Sequence, residues 1–249
     1  MDKLTDFESF LKENIIIINY PSGAFGSFLS QIIQLADNVH KTEGCVGTFN
    51  AQGATHNFYQ PVFNNLHDYT DLKKWAKLSV NDRIAFLHTN LNYQYDNDHK
   101  YVIKICSPES SNSLAEVFNV CNIVNIYVEP ADTDLLSKMI LHKILIPQGV
   151  EYIVSVAKQV CENLNDKKLY EIADQKNFQI ALAKKCADYF ISTMNQQNFY
   201  DIAFSDFLVE EKFKDKIDKI ITKLNLIVSS TEIDSLYTSF INANQKYIT

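Results

Sequence analysis

Arginine is almost missing from this chain: Arg83 is the only one among 23 basic residues, and the rest are lysines. Planar, two-point recognition of phosphate or sulfate normally uses arginine, so a protein with one arginine has little of that chemistry to deploy. Basic charge is also in deficit. The formal net charge is −7 and the pI about 5.4, which argues weakly against bulk nucleic-acid binding and does not exclude a small nucleotide in a local pocket. No apolar run approaches the ~20 residues of a membrane span. Residues 1–12 lack a basic segment followed by an apolar one, so no signal peptide is expected.

Cysteine and histidine are present without the spacings that give them chemistry. The five cysteines (45, 106, 121, 161 and 186) include no C-x-x-C pair. Their odd number and apolar surroundings suit reduced packing residues in a cytosolic setting. The six histidines (40, 56, 67, 88, 99 and 142) form neither an H-E-x-x-H motif nor a Cys/His cluster. No metal site is expected.

Glycine is scarce as well, with six in 249 residues, and two of them mark the most informative segment, Asn14 to Ile33. Ile15 to Ile18 form a continuous β-branched run, which suits a strand covered on both faces. Pro21, Gly23 and Gly26 punctuate a tight turn. Phe28, Leu29, Ile32, Ile33 and Leu35 then return at helical spacing, predicting a helix over about 27–36. A strand–turn–helix of this kind aims backbone N–H groups and a positive helix end at one point, where an anion can sit. Pro21, Ser22, Gly23, Ala24, Phe25, Gly26 and Ser27 are the candidate anion-binding turn. The bland alternative is a tight connection whose glycines only let the backbone turn.

Further strands are expected at Arg83–His88, Tyr101–Cys106, Asn122–Val128 and Phe199–Phe204. Helices are expected at about 3–12, 71–78, 111–118, 132–141 and 213–224, with a last one at 231–245. Residues 40–70 hold three of the six glycines and little periodicity, which reads as a long loop or small β insertion. From about 150 to 196 the apolar stripes are helical. There is no internal repeat. Strands alternating with helices predict an α/β fold, a central mostly parallel sheet flanked by helices, as a single domain over residues 1–249 with the helical region at about 150–196. Ligands of such sheets lie beyond the carboxyl ends of the strands. His88, at the expected end of one strand, is a candidate general base; a histidine there also commonly caps a carbonyl. Lys104 stands inside an apolar strand and needs a partner or a route to the sheet edge. His56 and His67 are further loop candidates.

Three segments resemble the sulfotransferase branch of the P-loop fold. They are Tyr20-Pro-Ser-Gly-Ala-Phe-Gly-Ser27, the strand end Tyr127-Val-Glu-Pro-Ala-Asp-Thr-Asp-Leu-Leu-Ser137, and His88 between them. Ala203-Phe-Ser-Asp-Phe-Leu208 resembles a fourth. The opening turn is also similar to sulfotransferase-like proteins of marine phages and their hosts, which agrees with the AT-rich coding that abundant Asn, Ile, Tyr and Lys suggest. The resemblance implies a P-loop NTPase-like fold and 3′-phosphoadenosine-5′-phosphosulfate as donor. The turn would hold its phosphosulfate, Ser137 its 3′-phosphate and His88 the acceptor proton. The acceptor would be a hydroxyl or amine on a small molecule or glycan, in the cytoplasm of a host cell.

The same motifs depart from the family. Ser27 stands where a Walker-type lysine would, Phe28 where a magnesium-binding hydroxyl would, and Glu129 in place of the arginine that binds the 3′-phosphate. Gly149 is the last glycine, so the family's C-terminal Arg-Lys-Gly loop is absent. The alternative on the same fold is therefore a non-catalytic, phage-derived binding or virion-associated protein with a phage or host protein partner.

Overall fold

In a computed structural model, residues 3–21, 23–41, 78–89, 98–105, 122–161, 166–193 and 200–248 are described. Four strands form one parallel sheet in the order β2-β1-β3-β4, where β1 is Ile15–Asn19, β2 Tyr101–Ile105, β3 Asn122–Tyr127 and β4 Asp201–Ala203. The isoleucine run of β1 lies inside this sheet, paired on both sides, and Ile15 to Ile18 are fully buried. The α/β class with an all-parallel sheet flanked by helices is as expected.

The two faces of the sheet carry different cores. Ile16, Ile18, Val124 and Ile126 belong to a large apolar cluster with helices α2 (Gly26–Gln34), α4 (Thr133–Ile140), α8 (Glu210–Lys223) and α9 (Ser230–Ile248). Ile15, Ile17, Ile103 and Ile123 are buried on the other face. There Phe7, Phe10 and Leu11 of α1 (Lys3–Asn14) are buried too, and α1 runs directly into β1. Strand alternation sends odd and even residues of β1 to opposite faces, so one strand serves both cores.

The region 150–196 is helical where described: α5 is Val150–Val160, α6 Asp166–Ile172 and α7 Lys176–Thr193. α7 packs against α4 through the apolar stripe of Leu182, Ala183, Cys186 and Ala187. After α4 the helix continues through a π-helical turn at Leu141–Leu145.

Residues 83–88 do not form a strand. They belong to α3, Val80–Thr89. Ser79 starts it: its hydroxyl accepts from the Asp82 backbone N–H at 3.2 Å and donates to the Asp82 carboxylate at 2.6 Å. The first of these bonds is the side-chain cap that opens a helix, and it outweighs the short apolar run Ile84–Leu87, which fits either element. The loop expected at 40–70 lies outside the described residues from residue 42 on. So do the helices expected at 71–78 (up to residue 77) and 111–118, His56, His67, and Ser22. No helix among the described residues is long and apolar enough to cross a membrane.

Candidate functional site

With the order β2-β1-β3-β4, the chain leaves β1 for one side of the sheet and later crosses to β3 on the other. The β1/β3 boundary is the topological switch point, and the crevice beyond the carboxyl ends of these two strands is where such sheets bind ligands. Two connections border it. One is Tyr20–Ser27 after β1, and the other runs from Val128 through Glu129 and a single 3₁₀ turn, Pro130–Asp132, into α4.

The first connection is built tightly. The Ala24 N–H donates to the Pro21 carbonyl at 3.0 Å, and Gly23 takes φ +89°, which a side chain rarely adopts. Ile140 and Leu136 of α4 lie 3.3–3.6 Å from where a Gly23 Cβ would be, so the second connection's helix sits directly on the turn. Ser137 is half-buried on the same helix. Gly26 is needed for space. A Cβ there would fall 2.2 Å from the Tyr20 ring.

Phe25 is the strained residue of the turn. It precedes α2 at φ 61°, ψ 15°, the left-handed region, with no side-chain cap for the helix. That conformation costs an L-residue about 1–2 kcal/mol. Its ring is held in the core, stacked on Phe204 at 4.9 Å and edge-on to Phe240 at 4.8 Å. Burial of a phenyl ring outweighs the strain. The Lys143 ammonium lies 5.5 Å from the Phe25 centroid and 5.4 Å from Tyr247, and it donates to the Asn244 carboxamide. The π-helical turn places Lys143 there, and nothing in the sequence pattern marked it.

The Ile15/Ile17 face of the sheet turns polar toward the carboxyl end of β1. Asn19, Asn125 and Asp201 pair in register across β1, β3 and β4. Asn19 Nδ2 donates to Asn125 Oδ1 at 3.0 Å, and Asn125 Nδ2 donates to Asp201 Oδ1 at 3.1 Å. Tyr127 follows Asn125 on the same face. Burial pushes its phenol above the ordinary value, and the charges of Asp206, Glu129, Asp201 and Asp132 push it the same way. Glu129 itself is exposed. Lys212 reaches Asp206 at 3.9 Å from the solvent side. Among the described residues no three His, Cys, Asp or Glu side chains are grouped to hold a metal ion.

His88 is not brought to this crevice. Its ring packs edge-on to Phe7 at 5.3 Å, Phe7 stacks on Phe10, and Phe10 meets Tyr101. Tyr101 pairs with Ile15, at the amino ends of the strands, so this chain of rings leads away from the turn. Lys104 is buried in β2 opposite Ile18 and is not free. The structure thus places Pro21, Gly23, Ala24, Phe25, Gly26 and Ser27 in one turn against α4, the helix that carries Ser137, and leaves His88 elsewhere.

Comparison with known proteins finds no matching family model, no matching curated protein and no matching solved structure.

Proposed function

We propose that this chain is a sulfotransferase-like α/β protein that binds a small ligand at the β1/β3 crevice without using the phosphosulfate donor: a binding protein on a transferase scaffold. The observation that carries this reading is the charge of the crevice. Four carboxylates act on Tyr127, one of them Glu129 at the position where the resemblance calls for an arginine. A carboxylate within ~4–6 Å of a phosphate opposes its binding by kcal/mol rather than tenths.

The residues of the turn do not fit the donor either. Phe28, in place of a magnesium-binding hydroxyl, is buried and stacked on Phe240 at 3.9 Å. Ser27 brings no charge to the lysine position. The Lys143 ammonium is engaged by two rings and an amide. His88, the candidate base, packs against Phe7 of α1 and not at the turn. The strand–turn–helix and the parallel sheet support the scaffold; Glu129 and the core-packed Phe28 support the loss of the donor.

The test is a thermal-shift screen of the full chain against 3′-phosphoadenosine-5′-phosphosulfate, its desulfated product and ATP. A ligand at 100-fold over its Kd stabilises by about 2.7 kcal/mol. The expected result is no shift with the 3′-phosphorylated nucleotides at millimolar concentration. A saturable shift with the phosphosulfate overturns this reading and restores sulfuryl transfer.

A further inference from the structure

We draw no further inference here: the strongest candidate, the side-chain cluster in which the Lys143 ammonium of the π-helical turn meets the Phe25 and Tyr247 rings and the Asn244 carboxamide, belongs to the turn already described, and nothing among the described residues points to a ligand for it.

Discussion

The Tyr20 ring lies against the backbone of Gly26 so closely that a methyl group on Gly26 would fall 2.2 Å from it. The two residues flank the turn after β1, and their contact ties its entry to the first turn of α2. Gly26→Ala is expected to destabilise the protein by ~1–3 kcal/mol, the usual cost of overpacking, and Gly26→Val by more. Gly26 is not at positive φ, so the cost is steric. Tyr20→Ala should therefore make Gly26→Ala nearly neutral in a double-mutant cycle followed by urea unfolding. Additive costs would show that the ring is not the obstacle.

Phe25 combines a strained backbone with a buried ring, and the two can be separated. Phe25→Ala loses the ring and keeps the strain, whereas Phe25→Gly loses the ring and relieves the strain. Glycine is expected to be the better replacement by roughly 1 kcal/mol, the reverse of the order inside a helix. Chemical denaturation of the two variants decides it; alanine being the more stable would mean that Phe25 carries no strain.

His88 is expected to behave as a packing residue. His88→Ala should cost about 0.5–1.5 kcal/mol through the lost edge contact with Phe7 and leave ligand affinity at the crevice unchanged. A large loss of affinity at unchanged stability would return His88 to the site.

Cys186 gives the protein a pH dependence at the alkaline end. Burial chiefly, and Cys161 secondarily, push its thiol from the ordinary 9.0 up to about 12. The folded value lies above the unfolded one, so the unfolded chain releases this proton first. Stability is complete below about pH 9 and falls as pH rises from there toward 12. The loss from this group is roughly 1 kcal/mol by pH 10. Unfolding midpoints against pH should fall less steeply in Cys186→Ala than in the wild type; parallel curves would contradict the assignment.

The sequence carries β1 and its turn plainly, because a run of four isoleucines followed by Pro-x-Gly has few other solutions. It carries the helices of the C-terminal half equally well, since stripes such as Phe213, Ile217 and Ile220 have one period only. Ile84–Leu87 misleads because four apolar residues have no period, and the informative residues, Ser79 and Asp82, stand before them. The Asn19–Asn125–Asp201 row is invisible in sequence for a different reason. It depends on the register of three strands separated by most of the chain, and no local pattern encodes that. Lys143 is hidden by the π-helical turn, which shifts the side-chain phase away from the regular helix.

Glu129 is the residue on which the functional account turns. The most direct measurement is calorimetric titration of 3′-phosphoadenosine-5′-phosphosulfate, and of the same nucleotide lacking the 3′-phosphate, into wild type and Glu129→Arg at one low salt concentration, because the effect is screened. The wild type is expected to show no saturable heat with the phosphosulfate. The arginine variant is expected to gain at least about tenfold in preference for the 3′-phosphorylated ligand, through two-point pairing and removal of a like charge. Tight wild-type binding of the phosphosulfate, unweakened by Glu129, would contradict the account.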